Sequence, residues 1–167
     1  MLFVLSIELS SASIIYVPDD YSTIYQAVYN AKAGDTIIVR DGVYEENVNV
    51  NKKLTIKSEN GSDNCVVKFA YYHVFEITAD YVNISGFTIE GAYDYASIML
   101  KGSYCIISEN NISNNDYGYG IRLDGSNKST ISGNRIEKNG FGIYFDNSNN
   151  NTISGNSIME NNYVGIR

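Results

Sequence analysis

A tetrapeptide that returns at a nearly fixed interval constrains this chain more than any other feature. Ile131-Ser132-Gly133-Asn134 recurs as Ile153-Ser154-Gly155-Asn156. The related Ile84-Ser85-Gly86-Phe87 and Ile107-Ser108-Glu109-Asn110 lie upstream, at successive spacings of 23, 24 and 22 residues. A second element keeps the same period: Gly120-Ile121-Arg122-Leu123-Asp124, Gly142-Ile143-Tyr144-Phe145-Asp146, then Gly165-Ile166-Arg167. A repeat of this length marks a solenoid or array, in which each unit buries its apolar face only against its neighbours.

Aligning the repeats yields four apolar columns. They are Val48, Phe75, Ile98, Ile121, Ile143, Ile166; Val50, Ile77, Leu100, Leu123, Phe145; Ile56, Ile84, Ile107, Ile131, Ile153; and Val39, Val67, Ile89, Ile112, Ile136, Ile158. Within each repeat these residues alternate with polar ones over short segments, the period of a strand with one buried face. Three such strands in so short a unit exclude an α-solenoid, and interior Ile and Val in place of fixed Leu argue against a leucine-rich repeat. The remaining solution is all-β: a coil that turns through three parallel sheets and stacks on the next coil about 4.8 Å away. Asn110, Asn134 and Asn156 fall at one corner, where stacked amides satisfy each other and the turn backbone.

A chain of 167 residues is one domain, here residues 14–167, with coils over about 36–167. Asp20-Tyr21-Ser22-Thr23 followed by Ile24, Ala27, Val28 and Ala31 predicts a capped helix over about residues 21–32. Laid across the first coil, its apolar face covers that open end, and Gly34-Asp35 ends it. Residues 1–13 are apolar but broken by Ser6 and Glu8, too short to span a bilayer, and read as a signal-peptide remnant cleaved before Ile14. The last coil finishes on Ile166-Arg167. An exposed coil is at once an unpaired edge and an apolar patch, which predicts end-to-end self-association or a piece of a longer chain.

Charge and rare residues exclude several functions. A net charge of −7 with no basic patch leaves nucleic acid and anionic lipid without an electrostatic grip. Cys65 and Cys105 lack metal-ligand spacing and are too few for a disulfide framework. His73, the single histidine, excludes any site that needs two and reads as structural beside Tyr71 and Tyr72. Five Asn-x-Ser/Thr sequons begin at Asn60, Asn83, Asn111, Asn127 and Asn150, but a chain this rich in Asn and Ser forms them by chance.

The run Thr23-Ile24-Tyr25-Gln26-Ala27-Val28, then Ala33-Gly34-Asp35-Thr36-Ile37-Ile38-Val39, Gly42-Val43-Tyr44-Glu45-Glu46-Asn47-Val48 and Leu54-Thr55-Ile56, followed by Ile-Ser-Gly-Asn coils, resembles a known family. It is similar to the right-handed parallel β-helix proteins of the pectate-lyase-like superfamily, and most to the NosD-like branch of carbohydrate-binding and sugar-hydrolase repeat domains. The resemblance covers about residues 14–167. It implies the fold closely and the function loosely, because the superfamily holds lyases, hydrolases, epimerases, a periplasmic accessory protein of nitrous oxide reductase and inert surface modules.

Enzymes of that superfamily work on the outward face of one sheet, which here carries Glu76 and Thr78, Met99 and Lys101, Arg122 and Asp124, Tyr144 and Asp146, then Arg167. Arg122, Asp124 and Asp146 are the catalytic candidates. Asp124 and Asp146 on adjacent rungs suit Ca²⁺, or, at about 5 Å, the carboxylate pair of a retaining glycosidase. The same residues also read as a charge ladder offset by Lys101 and Arg122. Expected superfamily parts are missing: there is no Gly-His-Gly, Asp19-Asp20 lies ahead of the helix, and His73 sits in a turn. A copper role would need grouped His, Met or Cys, and His73, Met99, Met159, Cys65 and Cys105 do not group.

The tyrosine excess, fifteen residues, gives the other candidate surface. Tyr71 and Tyr72, Tyr93 and Tyr95, Tyr117 and Tyr119, Phe141, then Tyr163 fall in the turns before five successive buried positions. Tyr72, Tyr95, Tyr117, Tyr119, Phe141 and Tyr163 would form a strip for the apolar faces of sugars, or would stack on one another to shield the turn. The sequence therefore reads as an extracellular or surface module, noncatalytic, binding polysaccharide or serving a structural role, with no cofactor beyond Ca²⁺. The alternative is a carbohydrate-active enzyme, lyase or glycoside hydrolase-like, using Arg122, Asp124, Tyr144 and Asp146.

Overall fold

The computed structural model describes residues 11–69 and 71–167. Its short strands stack into a right-handed parallel β-helix with three faces. The first face is a seven-stranded sheet of β1 (Ile14–Val17), β2 (Thr36–Val39), β5 (Thr55–Ser58), β8 (Asn83–Ser85), β11 (Ile106–Ser108), β13 (Thr130–Ser132) and β15 (Thr152–Ser154), in that order. The second begins with β3 (Gly42–Glu45), β6 (Cys65–Lys68) and β9 (Thr88–Glu90), the third with β4 (Val48–Val50), β7 (Phe75–Ile77) and β10 (Ala96–Leu100). Two long strands, β12 (Asn111–Asp124) and β14 (Arg135–Asp146), run across both of these faces, and β16 (Ser157–Met159) and β17 (Val164–Ile166) follow.

The expected columns set the register. Ile15, Ile37, Ile56, Ile84, Ile107, Ile131 and Ile153 are Cα partners in sequence along the first face. Val48, Phe75, Ile98, Ile121, Ile143 and Ile166 stack on the third face, with Val50, Ile77, Leu100, Leu123 and Phe145 beside them. On the second face Val67, Ile89, Ile112, Ile136 and Ile158 line up, but Val39 does not head that column. It lies on the first face, opposite Val17 and Ser58, and Tyr44 stands opposite Val67. The half-buried Tyr44 ring fills the place, its hydroxyl donating to the Arg40 carbonyl at 3.0 Å. The columns form one core along the solenoid, each fully buried Ile contributing about 1.5–3 kcal/mol of transfer free energy.

The cap helix α1 (Ile24–Asn30) is shorter than residues 21–32. Thr23 is its N-cap, the hydroxyl accepting from the Gln26 N–H at 3.1 Å, so residues 20–22 lie outside the helix. The Glu46 carboxylate, from the first coil, accepts the Ile24 and Tyr25 N–H groups at 3.0 and 2.8 Å. At the other end Lys52 Nζ donates to the Val28, Tyr29 and Ala31 carbonyls at 3.0, 2.7 and 2.9 Å. Orphan groups at both helix ends are thus satisfied by the coil beneath, while Ile24, Ala27 and Val28 are buried and α1 packs on β1, β2 and β4. Residues 1–10, most of the segment read as a signal-peptide remnant, lie outside the described residues. Among the described residues no helix is long and apolar enough to cross a membrane.

Two amide ladders hold the corners. Asn134 Oδ1 accepts from the Asn110 N–H and Nδ2 at 3.0 and 3.1 Å, and Asn156 Oδ1 does the same for Asn134 at 2.9 Å each. These are the asparagines expected to stack. The second ladder, Asn115, Asn139 and Asn161, turns the chain from the second face to the third: Asn161 Oδ1 accepts from the Asn139 N–H and Nδ2 at 3.1 and 3.0 Å, and Asn115 Oδ1 takes the Ala92 N–H at 2.8 Å.

Candidate functional site

The second ladder positions the aromatic residues, because each asparagine precedes the ring of its own rung by a few residues. Tyr117, Tyr119 and Phe141 were expected in turns, yet they lie inside the continuous strands β12 and β14. Pairing persists through the corner with a register shift between Asn115 and Tyr119. Glycine makes this close stacking feasible: a Cβ on Gly118 would lie 1.9 Å from the Tyr95 carbonyl oxygen, and one on Gly140 2.6 Å from that of Gly118.

The rings form three runs on neighbouring rungs. Tyr72 and Tyr95 are 5.2 Å apart between centroids, and Tyr119 bonds the Tyr95 carbonyl on the next rung through its N–H at 2.8 Å. Tyr119 stacks on Phe141 at 5.1 Å and 18°, and Phe141 meets Tyr163 at 5.2 Å. Tyr93 and Tyr117 run alongside, 5.2 Å apart. The rings do stack on one another, but they remain open to solvent: Tyr72, Tyr95, Tyr117 and Tyr163 keep 40%, 39%, 55% and 54% exposure.

The charged candidates adjoin this line. Asp124 and Asp146 are Cα partners on neighbouring rungs, as are Arg122 and Tyr144. The Arg122 guanidinium lies over the Tyr119 ring at 5.4 Å and the Tyr144 ring at 5.9 Å, and donates to Asp146 at 3.3 Å. Tyr144 in turn touches Tyr119 and Phe141, at 5.2 and 5.7 Å, and receives Arg167 at 5.8 Å. Two surfaces that the sequence presents separately are therefore one, joined through Arg122 and Tyr144. Lys101 pairs with Glu76 at 2.7 Å rather than with either aspartate. Met99, expected on this surface, is buried at 5% exposure; its column neighbours Glu76 and Arg122 are long side chains drawn into ion pairs along the face.

His73 is buried between Tyr72 and Tyr95, with ring centroids at 4.7 and 5.4 Å. Its Nδ1 accepts the Ala96 N–H at 3.0 Å, which places the proton of the neutral ring on Nε2. Burial is the main cause that lowers its pKa, Lys101 and Arg122 add to this and Glu76 opposes it, while the Ala96 N–H, donating to Nδ1, favours the neutral ring. The histidine thus ties two aromatic rungs together.

Sequence reasoning missed the second asparagine ladder and a further aromatic pair. Tyr81 and Tyr104 stack at 5.0 Å and 12°, with Lys53 over the first ring and Lys128 over the second. The ladder had a signal, since its members repeat at the same 24- and 22-residue steps as the first.

A stacked parallel coil is the architecture of the pectate-lyase-like β-helix proteins, and solved structures share it. An alginate lyase from Paenibacillus sp. str. FPU-7 superposes with a TM-score of 0.72 at 25% identity, over 86% of this chain and 57% of that one. The chain thus spans less than two thirds of that lyase. A pectin methylesterase in complex with a hexasaccharide gives 0.59 at 11% identity, over 87% and 67%, and the pectate lyase Pel9A 0.55 at 15%, over 84% and 54%. The particular family is narrower: the chain belongs to the NosD family, described as periplasmic copper-binding proteins, whose model matches residues 8–167. No curated protein matches the chain closely.

The described residues do not fit copper. Among them no three of His, Cys, Asp and Glu gather into a metal-binding group. Cys65 and Cys105 are buried, their thiols pushed up to about 12 and about 11 by desolvation, and a thiolate is what copper would need. His73 Nδ1 is already engaged by Ala96.

Proposed function

We propose that this chain is a noncatalytic module outside the cytoplasm that binds polysaccharide along the third face. One observation carries the reading: Tyr72 and Tyr95, then Tyr119, Phe141 and Tyr163, stand on consecutive rungs as two partly open runs of rings joined by the Tyr119 N–H to Tyr95 carbonyl bond, with Arg122 and Tyr144 attached to the second run. Rungs repeat about every 4.8 Å, close to the length of one sugar unit in an extended chain. Stacked rings offer apolar faces to pyranoses, and the phenol hydroxyls of the exposed tyrosines both donate to and accept from sugar hydroxyls. The family's periplasmic description and the saccharide-directed names of the structural neighbours support both the location and the ligand class.

A glycan array tests it. Binding is expected for the unaltered chain, lost in Tyr95→Ala/Tyr119→Ala and retained in Asp124→Ala. Absence of binding to every glycan would leave a purely structural role. The paired aspartates beside Arg122 favour a second reading, a carbohydrate-active enzyme. Under it, released product is detected on incubation with polysaccharide, with Ca²⁺ added in a parallel arm, and turnover disappears in Asp124→Asn. Ca²⁺ dependence abolished by Asp146→Asn would assign the carboxylate pair to the ion.

A further inference from the structure

The third face continues beyond the aromatic strip to the capped end of the solenoid. Its outward column runs Arg122, Met99, Glu76, Asn49 through successive Cα partners, and Asn51 stands two residues on from Asn49. There the strip's own line of rings stops, but helix α1 supplies others. Tyr25 and Tyr29, one turn apart, stack at 6.5 Å and 22° and are 53% and 72% exposed. With Val28, Asn49, Asn51 and Lys52 they line a groove of about 350 Å³.

We propose that this groove is an end subsite for a neutral sugar unit of the polysaccharide that lies along the strip; the inference rests on the carbohydrate-binding reading above. The chemistry selects a neutral unit. Lys52 sits in the groove, but its three N–H donors are spent on the Val28, Tyr29 and Ala31 carbonyls, so it has none left for a carboxylate. Asn49 and Asn51 are exposed, and among the described residues their side-chain amides make no hydrogen bond. An amide both donates and accepts, which suits a vicinal pair of hydroxyls. The aromatic wall and the amide floor come from different elements, α1 and the first rung of the third face. Both are fixed by Glu46 and Lys52, which bind the helix ends to the coil. The groove is therefore preorganised, and a ligand entering it loses no binding energy to ordering the helix.

From Asn49 to Arg122 is three rungs, about 14 Å, so a dimer seated at Tyr119 and Phe141 does not reach the groove and a hexamer does. Calorimetric titration of the full chain with cello- and manno-oligosaccharides and with oligogalacturonates, each from dimer to hexamer, tests this. Affinity for a neutral series is expected to rise from dimer to hexamer. Tyr25→Ala/Tyr29→Ala should lower hexamer affinity roughly tenfold, about 1.4 kcal/mol, and leave the dimer unchanged. Asn49→Ala/Asn51→Ala should act in the same direction. All four residues are exposed, so circular dichroism of each variant is expected to match the parent. Unchanged hexamer affinity in both variants, while Tyr95→Ala/Tyr119→Ala loses every length, overturns the end subsite and leaves the strip standing. Exclusive preference for the galacturonate series overturns the assignment of a neutral unit. Failure of the parent chain to bind any oligomer overturns the strip reading itself.

Discussion

His73 shows how one side chain can link two rungs through a bond that exists in a single protonation state. Neutral, its Nδ1 accepts the Ala96 N–H; protonated, that nitrogen becomes a donor facing a donor. Its pKa in the folded chain is lowered, mainly by burial. The unfolded chain therefore takes up a proton first, near pH 6.5, and the histidine's contribution to stability is complete above that value. It is lost as pH falls from there toward the depressed folded value. Thermal unfolding from about pH 7.5 to pH 5 is expected to show a falling midpoint in the parent chain and a flatter profile in His73→Asn, which offers a non-titrating acceptor. Parallel profiles would refute the link. From sequence the residue was legible as structural, but its partner was not, since Ala96 contributes only its backbone.

Elements differ in how much of them could be read from sequence. Strands were legible where each rung repeats an Ile, as at Ile84, Ile107, Ile131 and Ile153, because burial on one face demands a period of two. The second face was misread at its first rung because a tyrosine, Tyr44, holds a core place that Val39 was expected to fill. The helix was legible in kind but not in extent: Glu46 lies 21 and 22 residues from the N–H groups it accepts, beyond the reach of any local capping pattern. The second asparagine ladder was hidden by an Asn-rich composition. Its bonds reach beyond the ladder, since Asn139 Nδ2 also donates to the Ile112 and Glu137 carbonyls at 3.2 and 3.0 Å. Asn139→Ala removes this buried side chain and strands its partners, at an expected cost of about 3 kcal/mol. Urea unfolding followed by far-ultraviolet circular dichroism measures it, and a cost under about 1 kcal/mol would show that the ladder is dispensable.

At the scale of the molecule, stability is close to a sum over rungs and the contacts between neighbouring rungs. Ile107, fully buried between Ile84 and Ile131, has a partner on both sides. Ile107→Ala is expected to cost about 2–5 kcal/mol, read as a drop in the urea midpoint. The candidate site was legible as two surfaces and not as one, because the union depends on Arg122 folding back over Tyr119 while bonding Asp146, and side-chain direction is absent from a one-dimensional pattern.

The register along the third face has an evolutionary consequence. Because one repeat adds one ring and one pair of outward side chains without disturbing those already present, duplicating or deleting a repeat would lengthen or shorten the contact surface like the divisions of a ruler. Descendants of such a chain could change the length of polymer they grasp by copying a short stretch of gene, with no new contact having to be invented.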